Sequence, residues 1–392
     1  AKTQAEEQPA PDLELNALAS TEDVTARVNG AINPGMKPEA ALAARRAFIA
    51  ELEKESKDKT GLRSNVITLY EGGSYQLYCY KRYTDVRLVF APEQQAAFYG
   101  GDPDNFEYPR YDLDICIFRV YENGQPAHID NFLKFNPAGP KDGDLVFVSG
   151  NPGGTDRELT LSVLKDARDR QLPQRMALLY RRHVALMSFG ERSLEHARRA
   201  RDDLFGIQNS RKALKGRLEG LLDPVIFDKL TANESNLRRE METRAKKDEI
   251  FQKGTEAYNK ITQAQAMIVK VAPTYDYYER ELGFGGVLAR YARLLVRAPE
   301  ERAKPNGERL PEYRESSTDS LELQLFSTQP VYDDLEELLL ADSLTDLANH
   351  LGAEDPLVKQ VRAGKSPADR AAEPVKGTNR KHLASRKNTH AV

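Results

Sequence analysis

The stretch SNVITLYEGGSYQLYCYKRYTDVRLVF, residues 64–90, decides how this chain is to be read. Its hydrophobic period falls toward two, its runs are short and rich in β-branched and aromatic residues, and Gly72-Gly73 punctuates them. That combination predicts antiparallel strands joined by turns. Working outward, DICIFRVYENG (114–124), HIDNFLKF (128–135) and GDLVFVSG (143–150) extend the series, with turn signals at Asn123-Gly124 and Asp142-Gly143. Six such runs between residues 62 and 149 predict an antiparallel barrel or sandwich. One long loop, APEQQAAFYGGDPDNFEYPRYD (91–112), interrupts them, and long loops in compact β domains tend to carry function.

On either side of this block the period changes. Residues 1–60 form an N-terminal segment with one expected helix, where Leu42, Ile49 and Leu52 share a face after Pro38, and some structure is expected over residues 17–28. From residue 158 the chain becomes charged and helical. Met176, Leu179, Tyr180, Val184 and Met187 keep one face apolar, as do Leu214, Leu218, Leu221 and Leu222. Pro173, Pro224 and Pro273 are expected helix boundaries, residues 304–318 a polar linker, and the basic tail after Gly364 frayed. The expected domains are therefore 1–60, a β lobe at 61–157, and a helical domain at 158–392.

Composition narrows the function. The 57 basic and 60 acidic residues nearly cancel, so neither nucleic acid nor an anionic membrane is called for. No run of 18 apolar residues exists to span a bilayer, and the first residues carry no signal-peptide pattern. Arginines between residues 168 and 201 are interspersed with Asp166, Asp169, Glu191 and Glu195, the composition of a solvated helix face. His183 and His196 fall in helices, where packing or surface roles are expected. Cys79 and Cys116 fit no metal spacing and read as small buried hydrophobes, a disulfide between them remaining open. The DPDN run at 102–105 lacks the Gly and Glu spacing of a calcium loop, and no metal or cofactor is expected. Asp114 leads directly into a hydrophobic strand, the place where a chymotrypsin-like triad keeps the buried carboxylate that orients its imidazole. Asp112 competes for that part, and Arg110 could meet a substrate carboxylate or brace either aspartate.

Three blocks carry a resemblance: GGDPDNFEYPR (100–110), DLDICIFRVYENGQP (112–126) and DGDLVFVSGNPGGTDR (142–157). With QNSRKALKGRLEGLLDP (208–224) and EDPLVKQV (354–361), they resemble the bacterial dipeptidyl-peptidase 7/11-type family of serine peptidases. The resemblance implies an α+β protein, an incomplete chymotrypsin-like antiparallel β-barrel lobe followed by a large α-helical cap domain. It implies release of dipeptides from peptide substrates with a free N-terminus, a periplasmic or secreted location, and a homodimer as one expected assembly. By the same resemblance Asp114 matches the triad aspartate, Asn105 and Phe106 line the pocket for the substrate's N-terminal dipeptide, and Asn209 helps hold the free amino group. The family more often has Trp where Phe106 stands. Its histidine motif, TNHHC-like, would precede residue 1, and its nucleophile loop, GNSGS-like, would follow residue 392. All six histidines follow Asp114, and GNPGG at 150–154 puts Pro152 where a serine would be needed. The chain alone is therefore expected to be inactive. The alternative is a non-catalytic peptide-binding or scaffold protein derived from the same fold.

Overall fold

Strand β4 (Ser74–Tyr83) shows why the block folds as it does: Tyr75, Leu77 and Cys79 point inward and are buried, while the residues between them stay partly accessible. The computed structural model describes residues 1–97, 101–102, 104–109, 112–147, 159–280 and 282–377. Ahead of β4 lie β1 (Gln8–Pro9), β2 (Leu15–Asp23) and β3 (Arg63–Leu69); after it come β5 (Asp85–Phe90), β6 (Ile117–Glu122) and β7 (Gln125–Pro126). Two antiparallel sheets result, one in the order β2-β4-β3 and one in the order β1-β5-β6-β7. Helices α1 (Thr25–Gly30) and α2 (Pro38–Thr60) cover the first sheet. Val24, Val28 and Leu52 meet Tyr75, Leu77 and Cys79 there in one apolar core. Each valine or leucine among them contributes roughly 1.5–3 kcal/mol on burial.

Several expectations change here. Residues 1–60 contain two helices and two strands, not one helix, and both strands pair with the β lobe. Strand β2 is nearly all exposed, so its own side chains give no periodic signal; its ladder to β4 makes it a strand. HIDNFLKF forms no strand, nor do the described residues 143–147 of GDLVFVSG, and Leu133 and Phe135 are 88% and 91% exposed. A strand needs a neighbour to complete its ladder, and none pairs with these runs among the described residues. Cys79 is buried but Cys116 is exposed, and both thiols are free.

The helical part begins with a short α3 (Gln94–Ala97) inside the long loop, then runs from α4 (Leu161–Asp166) through α5 (Leu172–Gly190), α6 (Leu194–Leu222), α7 (Pro224–Ala245) and α8 (Glu249–Tyr278). It continues with α9 (Val287–Ala303), α10 (Thr318–Leu325), α11 (Asp333–Leu351), α12 (Pro356–Arg362) and α13 (Pro367–Gly377). A wide π turn over Ala167–Gln171 joins α4 to α5 just before Pro173. Pro224 opens α7, as its missing N–H allows at a first turn, whereas Pro273 lies inside α8. Helices α5 and α6 form an antiparallel hairpin with Leu186, Phe189 and Ala200 in its core. Of the apolar face expected on α5, Leu179 is buried while Tyr180, Val184 and Met187 are largely exposed. The tail after Gly364 is not frayed throughout, since α13 buries Ala371 and Val375.

The stretch expected to be a linker is a clasp. Glu53 on α2 is buried and accepts hydrogen bonds from the Val66 amide at 3.0 Å and Ser316 Oγ at 3.0 Å, with the buried Arg314 at 3.6 Å. Asn306 donates to the Ala50 carbonyl, and a Cβ on Gly307 would come within 2.7 Å of Ala47 Cα, so only glycine lets the two backbones meet. Residues 304–318 thus pin the helical part to the β lobe.

Candidate functional site

The loop ahead of β6 is folded on itself by two overlapping turns, Asn105 N to the Asp102 carbonyl at 3.3 Å and Glu107 N to the Asp104 carbonyl at 2.9 Å. Between them Phe106 takes a left-handed backbone conformation, φ +63°, uncommon for a residue with a Cβ. The turn sends neighbouring side chains apart: Asn105 is buried at 7% exposure, and Phe106 is 61% exposed.

Asn105 is buried against α6. Its Nδ2 donates to Asn209 Oδ1 at 2.9 Å, bringing together two residues that the family resemblance assigned to substrate binding. Lys212 Nζ lies 3.4 Å from Glu107 Oε1, and a Cβ on Gly101 would stand 2.6 Å from Gln208 Oε1. Residues 208, 209 and 212 share one side of a helix of 3.6 residues per turn. The loop is therefore seated on α6 at Gly101, Asn105 and Glu107. Neither Gln208 nor Lys212 was read from the sequence as part of this site. The only signal for Gln208 was its place beside Asn209 in the QNSRKA segment.

Behind this contact, the Arg211 guanidinium lies 5.0 Å from the centre of the Tyr180 ring. Burial, reinforced by the Arg211 charge, pushes His183 below the usual histidine range and favours its neutral form at pH 7. His183 Nδ1 and Arg211 Nε are buried without a hydrogen-bond partner among the described residues. His196 serves the α5–α6 turn: Ser193 Oγ caps α6 by accepting from the His196 amide at 3.2 Å, and the imidazole packs edge-on against Phe189.

Asp114 stands elsewhere on the loop. The sequence placed it buried at a strand start, but it is exposed and β6 begins only at Ile117. The reason is the ladder: β5 offers partners from Ile117 onward, whereas the residues just before it are held by Leu113 N to the Ala96 carbonyl and Ile115 N to the Leu113 carbonyl. Asp112 is exposed as well. Arg110 and the GNPGG segment fall outside the described residues. Among the described residues no group of three or more His, Cys, Asp or Glu side chains is placed to hold a metal ion, and no helix is long and apolar enough to cross a membrane.

This architecture, a strand lobe bound through a long loop to a helical domain, has a counterpart among solved proteins. A crystal structure of Porphyromonas endodontalis DPP11 in complex with the dipeptide Arg-Glu superimposes with a TM-score of 0.67 at 22% identity, over 98% of this chain and 59% of that one. The chain belongs to the Peptidase S46 family, whose model matches residues 1–391. Among curated relatives, dipeptidyl-peptidase 7 of Phocaeicola vulgatus is 32% identical over 183 residues, 42% of this chain and 25% of the relative. The Asp/Glu-specific dipeptidyl-peptidase of Shewanella putrefaciens is 29% identical over 280 residues, 68% of this chain and 36% of the relative. The chain thus spans between a quarter and about a third of these relatives' lengths in the matched regions.

Proposed function

We propose that this chain carries the part of a serine dipeptidyl aminopeptidase that measures two residues from a free peptide N-terminus. The observation behind the reading is the Asn105–Asn209 hydrogen bond, which joins the strand-lobe loop to the helical domain. Amide oxygens are neutral acceptors suited to a primary ammonium, which brings three donors and one positive charge. A pocket closed by α6 behind that ammonium would leave no room for a third residue upstream, and Phe106 would give the dipeptide an apolar wall.

Catalysis in this reading follows the triad logic on a chymotrypsin-like lobe, of which this chain holds one acid. A serine hydroxyl attacks the carbonyl carbon of the second residue, and its proton passes to a histidine. The tetrahedral intermediate collapses as the leaving amine takes that proton, and the dipeptide remains as an ester. Water, deprotonated by the same histidine, releases it as a free acid. Asp114 would hold the imidazole in the right tautomer and stabilise its cation. The histidine and serine would come from outside these residues, so the chain by itself is expected to be inactive. Periplasmic or secreted location accords with the resemblance to bacterial dipeptidyl-peptidases.

The test is an Asp114→Ala variant of the full-length protein, assayed on a chromogenic dipeptide substrate with a free α-amine. The reading expects wild-type turnover and a loss on the order of 10⁴-fold in the variant. Wild-type protein that binds the dipeptide product yet never releases the chromophore would instead make this a peptide-binding scaffold.

A further inference from the structure

Beyond the loop–α6 contact, the helical part holds a cavity of about 440 Å³ between α9, α11 and α13. Leu288, Ala292 and Val296 line it from α9, and Leu340 and Leu344 from α11. Side chains at this four-residue spacing form one stripe on a helix, so two apolar faces look into the same space. Ala292 and Val296 are exposed there, Val296 at 75%. At the start of α9 the Glu336 carboxylate accepts from the Val287 and Leu288 amides at 3.0 Å and 2.8 Å. Further along α9, Arg293 and Arg297 reach the cavity, and Arg370 enters it from α13. Leu288 and Arg297 stand about 14 Å apart along the helix axis. Glu279 serves both Arg293 and Arg297, and Glu373 serves both Arg370 and Lys365.

We propose that this cavity binds a small amphiphile, with its alkyl chain between α9 and α11 and its anionic head at Arg297 and Arg370. Ligand sites of this size are mostly apolar, with a few convergent polar groups that fix orientation. The lining selects an alkyl chain. An extended peptide would bring amide groups that the apolar side chains of α9 and α11 cannot satisfy, and the helix backbones are already bonded to themselves. The charged groups select the head. Glu336 disfavours an anion at the start of α9, whereas guanidinium groups offer a carboxylate paired N–H donors. Arg370 shares its carboxylate partner with Lys365, so a further anion balances charge there. The cavity shares no residue with the loop–α6 contact, and the inference does not depend on the proposed peptidase function.

The experiment titrates dodecanoate, dodecanol and dodecyltrimethylammonium, each below its micelle-forming concentration, into the full-length protein by calorimetry. Dodecanoate is expected to bind saturably, and the cationic amphiphile roughly tenfold more weakly or not at all. Affinity should rise about fourfold per methylene from octanoate to dodecanoate. Ala292→Trp fills the space from an exposed position and should abolish binding. Arg297→Gln keeps most of the bulk and loses the charge. It should weaken dodecanoate by roughly ten- to a hundredfold, the worth of one hydrogen bond to a charged group, and leave dodecanol unchanged. Thermal unfolding without ligand checks that each variant is folded, and the wild-type comparison of head groups stands without either. If full-length wild type takes up no dodecanoate, because another part of the chain fills the cavity or for any other cause, the inference falls. Equal affinity for the cationic amphiphile, or undiminished binding to a folded Ala292→Trp, overturns it as well. Unchanged dodecanoate binding by Arg297→Gln overturns the place given to the head.

Discussion

Asn105 Nδ2 lies 2.9 Å from Asn209 Oδ1, a bond that closes a span of 104 residues between a strand-lobe loop and the middle of a 29-residue helix. Neither partner can move without loosening the other. Replacing either by alanine in the full-length protein should therefore lower kcat/KM for a free-amine peptide by roughly ten- to a hundredfold. The double variant should be little worse than the worse single one, because the two act as a unit. Fully additive losses in a double-mutant cycle would show that each asparagine works alone.

The clasp between α2 and residues 304–318 makes a prediction about stability. Glu53→Ala leaves Arg314, itself buried, without its carboxylate and also strips the acceptor from Ser316 and the Val66 amide. Breaking one side of a buried ion pair costs about 3–5 kcal/mol. Urea unfolding of the 392-residue chain should show a loss of this size, and Glu53→Gln, which retains an acceptor oxygen, should lose less.

A pH dependence follows from Asp166 at the end of α4. Burial works to raise its pKa, but hydrogen bonds from Arg170 at 2.6 Å and 2.7 Å, Gln171 at 2.6 Å and Gln265 at 2.8 Å prevail and hold it below the usual carboxylate range. A carboxyl whose folded pKa is depressed binds its proton more readily in the unfolded chain. Its contribution is fully present above the unfolded value of 3.8 and is lost as pH falls from there through the lowered folded value. Wild type should therefore exceed Asp166→Asn in stability at pH 7, with the gap narrowing as pH drops below about 4. A gap that stays constant from pH 7 to pH 2, measured by denaturant unfolding, would contradict this ion-pair assignment.

How much of this was legible in the sequence depended on whether a signal was local. The alternation of Tyr75, Leu77 and Cys79 in β4 could be read directly, because burial of one face has period two. Strand β2 could not, since its ladder to β4 rather than its own pattern defines it. Arg314 and Ser316 fell within the expected polar linker and Glu53 drew no reading, because the pairing that lets them be buried spans more than 250 positions. At the site, Asn105 and Asn209 were reached through motif resemblance, and the structure brings them into contact. Gln208 was not reached, because nothing in a glutamine's neighbours along the chain tells that its oxygen is buried and unpaired. Asp114 is exposed in this structure, so its catalytic part is a matter for the Asp114→Ala assay.

The central claim is that this chain reads a free peptide N-terminus, and one comparison tests it most directly. The full-length protein is given a peptide with an unblocked α-amine and the same peptide N-acetylated, and the products are identified by mass spectrometry. The account predicts successive dipeptides from the free peptide and none from the acetylated one. Cleavage of both at equal rates, or release of fragments of other lengths, would contradict it.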